Sequence, residues 1–298
     1  MTIVEKAVKR LDERPKGQDQ PSATQNGQPL ATMRSGHAIG EGPSVIVHRE
    51  ALQAAGFLAP EEYERQLAEE YRRIKRPLLA HAFGIGATKV DAGNLIMIGS
   101  ALSGEGKTHT CINLAMSMAM EKDRTVLLVD GDVAKPTISR VFGVEDQPGL
   151  LDVLEGTELT DVMMTTDIPG LRLLPAGRPR DGATELLSSD RMRALATELA
   201  DRYPDRVILI DSPPLLATSE SEAIAAAVGQ VALVVAAGTT RRSVVKEALE
   251  HLRPELAVNV ILNKQRYAGA DGYYGGYYSH GSYGYGSDQR NRDEADQT

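Results

Sequence analysis

The 298-residue chain has little of what stabilises a protein by means other than an aliphatic core. It holds one cysteine, Cys111, so no disulfide can form within it. That residue falls among Ile112, Leu114 and Ala115, which reads as a buried position and suits a reducing cytosol. Tryptophan is missing, phenylalanine occurs three times, and seven of the ten tyrosines lie from Tyr267 onward. A core that needed aromatic rings would spread them along the chain. No basic block stands out, and 41 acidic against 33 basic residues give a net charge of −8, which argues against a protein that coats nucleic acid. Long hydrophobic runs are lacking too: the most apolar window, Ala223 to Gly238, is interrupted by Gly229-Gln230 and falls short of the ~20 residues a membrane helix needs. The opening MTIVEKAVKRL has neither the apolar centre nor the cleavage site of an export signal, so a cytoplasmic location is expected.

What is present organises into four stretches. Residues 1–14 place Ile3, Val4, Ala7, Val8 and Leu11 on one face of a short amphipathic helix. Residues 15–44 shift to Gln, Gly, Ser, Pro and Thr, a composition that cannot repay ordering entropy by burial, and read as a disordered linker. Residues 45–266 carry the main domain, and 267–298 read as a flexible Tyr/Gly-rich tail. Within the domain, Tyr63, Leu67, Tyr71, Ile74 and Leu78 recur at helical spacing, which predicts a helix over 60–79 with Pro60 in its first turn and Pro77 kinking or ending it. Glu70, Arg73 and Arg76 form a charged row on that helix, three residues apart. From residue 94 onward, strand and helix patterns alternate. The predicted strands are 94–99, 125–130, 171–175, 206–211, 231–236 and 258–263, and the longer predicted helices are 106–121, 183–202, 219–228 and 240–252. The strands are continuous apolar runs, as needed when both faces of a sheet are covered, so the expected fold is α/β, a doubly wound and mainly parallel sheet.

The chemistry concentrates in GSALSGEGKT, residues 99–108. An apolar strand runs into glycines and then a Lys-Thr pair that opens a helix, the construction of a phosphate-cradling loop. Gly104 and Gly106 free the backbone to converge its N–H groups on an anion, Lys107 adds charge, and Thr108 offers a hydroxyl to Mg²⁺. Ala101 stands where the strict pattern has glycine. Two apolar strands then end in carboxylates: VLLV leads into Asp130-Gly131-Asp132, and VILI leads into Asp211. A hard cation takes oxygen ligands, so Thr108 with Asp130 or Asp211 can hold Mg²⁺ beside the phosphates. A carboxylate left over can accept a proton from an attacking hydroxyl.

Together these stretches resemble the bacterial tyrosine kinases of exopolysaccharide synthesis, over roughly residues 60 to 287. SGEGKT matches Walker A, VLLVDGD the additional Walker A′ motif, and VILIDSPP Walker B of a P-loop NTPase. The layout also resembles, less closely, the autokinases of exosortase loci. The resemblance implies ATP and Mg²⁺ as cofactors, with Ser103, Gly104, Glu105, Gly106, Lys107, Thr108, His109 and Asn263 binding ATP. It implies Lys107, Asp130, Asp132 and Asp211 as catalytic residues, the separate roles of Asp130 and Asp132 staying open. Glu70, Arg73 and Arg76 fit the family's E-x-x-R-x-x-R element, which implies contacts between subunits of a ring-type homo-oligomer. A membrane-bound activator of polysaccharide chain length, recruiting the chain to the inner face of the membrane, and a tyrosine phosphatase are the other implied partners. One departure is Ala134-Lys135-Pro136, where the family often carries two basic residues before the proline.

The tail then reads as substrate. Glycine spacing prevents stable helix or strand around Tyr273, Tyr274, Tyr277, Tyr278, Tyr283 and Tyr285 and leaves their hydroxyls accessible as phosphoacceptors. A flexible segment of about 20–30 residues spans roughly 25–30 Å, enough to enter a neighbour's site. The competing reading is a nucleotide-switch ATPase resembling the division-site and plasmid-partition proteins, without kinase activity. Those carry a second lysine five positions before the loop lysine, where this chain has Leu102.

Overall fold

The computed structural model describes residues 42–86, 88–203 and 205–265. The amphipathic segment 1–14, the linker up to residue 41 and the tyrosine tail lie outside the described residues. Among the described residues eight strands make one sheet: β1 (Ser44–Val45), β2 (Leu95–Ser100), β3 (Thr125–Asp130), β4 (Met164–Thr166), β5 (Leu171–Leu174), β6 (Arg206–Asp211), β7 (Gln230–Ala236) and β8 (Ala257–Asn263). Their order is β1-β4-β5-β3-β6-β2-β7-β8, and every pairing is parallel except β4 with β5. The doubly wound, mainly parallel α/β sheet expected from the apolar runs is what the chain forms. The two short strands β1 and β4 extend one edge, so Ser44, placed by composition in the linker, belongs to the sheet.

Because successive side chains of a strand point to opposite faces, each central strand feeds two cores. Leu95 and Met97 of β2 join one cluster, while Ile96 and Ile98 join the other, all with no exposed surface. The second cluster is covered by α2 (Glu64–Phe83), α3 (Lys107–Ala119) and α4 (Thr137–Val141), through Tyr71, Leu78, Ile112, Leu114, Met118 and Ile138. The first is covered by α5 (Leu150–Glu155), α6 (Leu159–Val162), α7 (Ala183–Leu187), α8 (Asp190–Arg202), α9 (Ser219–Ala227) and α10 (Arg242–Glu250). A further helix, α1 (Arg49–Ala54), buries Leu52 against the α2 side.

Two helices differ from their predicted extents. α2 begins after a 3₁₀ turn at Glu61–Tyr63 and runs past Pro77 to Phe83, ending where Gly84 turns left-handed at φ 72°. Pro77 and Arg73, whose carbonyl loses its helical donor, both sit on the exposed face, so water can satisfy that carbonyl and the helix continues. The predicted helix 183–202 is two helices, α7 and α8. Ser189 breaks them apart because its hydroxyl accepts the Met192 N–H at 3.4 Å and so starts a new helix.

Candidate active site

The site sits at the carboxyl ends of three adjacent strands, where a doubly wound sheet leaves a crevice. β6 lies between β2 and β3, with Ile98 opposite Asp211 and Asp130 opposite Asp211 in the parallel register. Sequence separation of more than eighty residues is thereby cancelled, and the phosphate loop and both acidic strand ends meet. Gly131 makes the close approach possible: its N–H donates to the Asp211 carbonyl at 2.9 Å, and an added Cβ would lie 2.6 Å from that oxygen.

The loop itself follows β2. Gly104 and Gly106 take φ of 80° and 98°, the left-handed region that favours glycine, and Gly106 opens α3. Lys107 Nζ donates to Asp132 Oδ2 at 3.1 Å, and the Thr108 hydroxyl donates to Asp211 Oδ2 at 2.7 Å. Burial opposes the Lys107 charge, yet Asp211 and then Asp132 outweigh it and raise the ammonium's pKa above its ordinary value. Lys107 is therefore a fixed positive charge at neutral pH.

The two aspartates of the β3 end, which sequence reasoning left unresolved, are separated by their partners. Asp132 belongs to Lys107. Asp130 is held by Ser139, two residues into α4: both the Ser139 N–H and its hydroxyl donate to Asp130 Oδ2, at 2.7 and 2.8 Å, and the same hydroxyl accepts the Ala176 N–H at 3.0 Å. Asp130 Oδ1 and Asp211 Oδ1 are buried with no partner among the described residues. Burial, reinforced by the Asp211 charge, raises Asp130 to about 7 against the pull of the Ser139 hydrogen bonds. Burial likewise raises Asp211 to about 6, although Lys107 and the Thr108 hydroxyl favour its charged form. Three carboxylates against one ammonium make a pocket with surplus negative charge and two bare oxygens, the donor set a hard divalent cation requires. Among the described residues no three acidic, histidine or cysteine side chains form a metal cage by themselves. Mg²⁺ does not need one, since it binds through one or two carboxylates with waters and substrate phosphates.

The remaining expected residues divide. Ser103 and Gly104 are exposed on the loop. The Glu105 side chain is not in the site: it is buried behind the loop, where it accepts the Leu102 N–H at 2.7 Å, the Ala236 N–H at 3.1 Å and the Thr240 hydroxyl. Only its backbone can face a nucleotide. The His109 ring turns to α2 and meets the Tyr71 hydroxyl at 3.5 Å; burial, then the Lys264 charge, lowers its pKa to about 4, so it is neutral. Asn263, at the end of β8, lies against the loop and donates to the Glu105 carbonyl at 2.8 Å. Glu70, Arg73 and Arg76 are exposed along α2. α2 is in turn bolted to the nucleotide helix, since Lys75 donates to the Ser117 carbonyl at 2.7 Å and pairs with Glu121 at 2.6 Å. The six tail tyrosines lie outside the described residues. Sequence reasoning missed Ser139; its only signal was a hydroxyl residue nine positions after Asp130.

Comparison with known proteins agrees with this geometry. The AAA domain family matches residues 93–245, about half of the chain. Tyrosine-protein kinase YwqD of Bacillus subtilis is 32% identical over 185 residues, which cover 60% of this chain and 77% of YwqD. Tyrosine-protein kinase Etk of Escherichia coli is 31% identical over 174 residues, 57% of this chain but 23% of Etk, so the chain spans under a quarter of that longer relative. Among solved structures, the VpsO kinase domain is 34% identical with a TM-score of 0.54, covering 66% of this chain and 98% of that one. The kinase domain of E. coli ETK is 28% identical with a TM-score of 0.57, covering 69% and 80%. The matched span takes in the phosphate loop and both acidic strand ends, and the chain belongs to the bacterial tyrosine kinase family of AAA domain proteins.

Proposed function

We propose that the chain is an ATP-dependent protein-tyrosine autokinase that phosphorylates Tyr273, Tyr274, Tyr277, Tyr278, Tyr283 and Tyr285 of a neighbouring copy and thereby regulates exopolysaccharide synthesis or export. One observation carries the reading: Lys107, Thr108, Asp132 and Asp211 are joined in pairs at 3.1 and 2.7 Å beside two carboxylate oxygens without a partner among the described residues, in a chain that has seven of its ten tyrosines from Tyr267 onward.

Phosphoryl transfer asks mostly for positioning and charge stabilisation. In this reading the N–H groups of the loop and Lys107 hold the β- and γ-phosphates. Thr108 and Asp211 would hold Mg²⁺, which would supply neutralisation of phosphate charge when bound. Asp130 Oδ1, on a carboxylate whose pKa of about 7 suits proton exchange near neutrality, takes the proton of the tyrosine hydroxyl. The exposed Glu70, Arg73 and Arg76 meet an adjacent subunit of a ring. Among the described residues no helix is long and apolar enough to cross a membrane, so attachment to the inner face is assigned to a membrane-bound activator.

The test is incubation of the full chain with Mg-ATP followed by phosphotyrosine mapping, alongside Lys107→Met and a variant with the six tail tyrosines changed to Phe. Label is expected on the wild-type tail alone. When the two variants are mixed, label should reach the tail of Lys107→Met, as transfer between copies requires. Tail label on Lys107→Met incubated alone would reject the assignment.

A further inference from the structure

The phosphate loop is gripped at two carbonyl oxygens by consecutive residues from the other end of the domain sequence. Asn263 Nδ2 donates to the Glu105 carbonyl at 2.8 Å, and Lys264 Nζ donates to the Gly104 carbonyl at 2.6 Å. The grip is tight: a Cβ added at Gly106 would lie 2.1 Å from Asn263 Nδ2. It also depends on an unusual backbone, because Lys264 has φ of 59°, a left-handed conformation uncommon outside glycine and asparagine. That turn follows directly on the last residue of β8 and brings the lysine side chain back over the loop. Asn263 is in turn fixed by the sheet, pairing with Ala236 of β7 and accepting the Ala237 N–H at 2.8 Å.

The direction of those carbonyls decides the direction of two donors. In a trans peptide the C=O and N–H of one plane point opposite ways. The Gly104 carbonyl shares its plane with the Glu105 N–H, and the Glu105 carbonyl shares its plane with the Gly106 N–H. Drawing both carbonyls toward β8 turns both N–H groups away from it, into the loop. Neither N–H has an acceptor among the described residues. Two donors thus stand aligned for an anion before one arrives, which removes an ordering cost from binding.

We propose that Asn263 and Lys264 form a carbonyl clamp that aims the Glu105 and Gly106 N–H groups at the nucleotide's phosphates, with Lys264 a positioning residue rather than a phosphate ligand. The clamp rests on the nucleotide-binding part of the reading above. Lys264 shapes the cradle common to ADP and ATP and leaves the nucleoside end of the site untouched.

The test measures binding of a fluorescent ADP analogue with Mg²⁺ to the full chain, with unlabelled ADP, ATP and adenosine as competitors. Lys264→Ala is expected to weaken ADP and ATP equally, by about fivefold, a loss in the range of one ordinary hydrogen bond, and to leave adenosine unchanged. Lys264→Arg should recover most of the affinity, and Lys264→Gly, which relieves the left-handed backbone but lacks the ammonium, should match Lys264→Ala. In turnover, KM for ATP should rise while kcat falls by less than about twofold. Wild-type affinity in Lys264→Ala overturns the clamp, as does wild-type affinity in Lys264→Gly, which would trace the effect to backbone strain. A loss confined to ATP would make Lys264 a direct γ-phosphate contact and overturn it equally. If the wild type itself binds no nucleotide, the kinase reading fails first, a result distinct from any of these.

Discussion

Two kinds of buried carboxylate flank the same phosphate loop. Behind it, Glu105 is 2% exposed and spends its oxygens on the Leu102 N–H, the Ala236 N–H and the Thr240 hydroxyl. In front of it, Asp130 and Asp211 are wholly buried, yet each keeps one oxygen with no partner among the described residues, and both have raised pKa values. Burial alone therefore does not distinguish a structural acid from a chemical one. Saturation does: Glu105 holds the loop to the ends of β7 and α10's approach, whereas the two aspartates retain unsatisfied capacity that costs stability and is available to a ligand.

The sharpest way to break this contrast is to neutralise one acid on each side. Asp211→Asn keeps the shape and can still accept from Thr108, but removes the charge opposite the phosphates. Kinase activity measured as tail phosphotyrosine should drop by about a thousandfold, with the fold retained by circular dichroism. Glu105→Ala strands two backbone N–H groups and one hydroxyl in a buried space. It should destabilise the chain by about 3 kcal/mol, seen as a fall of roughly 10 °C in Tm.

The smallest of the three effects has the opposite sign. Burial and Asp211 hold Asp130 near pKa 7, while the unfolded chain ionises it near the ordinary value of 3.8. Between those values the unfolded state has already released the proton that the folded state retains. Raising the pH from about 4 to 7 thus removes stability, and above 7 the loss is complete. Asp130→Asn has no such proton to lose. Without nucleotide it should be more stable than wild type by about 2 kcal/mol at pH 7.5 and no more stable at pH 4, checked by Tm across that range. A stabilising change that also impairs activity would mark Asp130 as a residue kept for chemistry.

The contrast also explains which parts were legible in the sequence. The runs VLLV and VILI, the loop GSALSGEGKT and the helical spacing from Tyr63 to Leu78 each encode a local choice: the strands and the loop appear where expected, and the helix forms with its bounds moved to Glu64–Phe83. What sequence could not give depends on partners brought in from elsewhere. Asp130 and Asp132 have the same local setting, and only the arrival of Ser139 at one and Lys107 at the other tells them apart. Glu105 sits inside the phosphate motif, which puts it among the expected ATP ligands, but β7 supplies a backbone donor on the opposite side that holds its side chain away from the site. The expectation that Pro77 kinks or ends the helix rests on its missing donor, a local fact, while the exposure that makes the loss harmless is a tertiary one. β1 and β4 are two and three residues long, too short to show any period.

The partnership of Asp130 with Asp211 is written in strand alignment rather than in either residue. Consecutive positions in a pleated chain face alternately up and down, so a single residue inserted ahead of Asp130 would slide it past its mate and roll it to the opposite surface of the sheet. The leucines and valines of that run would exchange one core for the other in the same motion. Spacing between the acidic tips is thus a property of how β3 is aligned with β6, and a shift of one position within β3 would part the two carboxylates even with every apolar side chain of the run still buried.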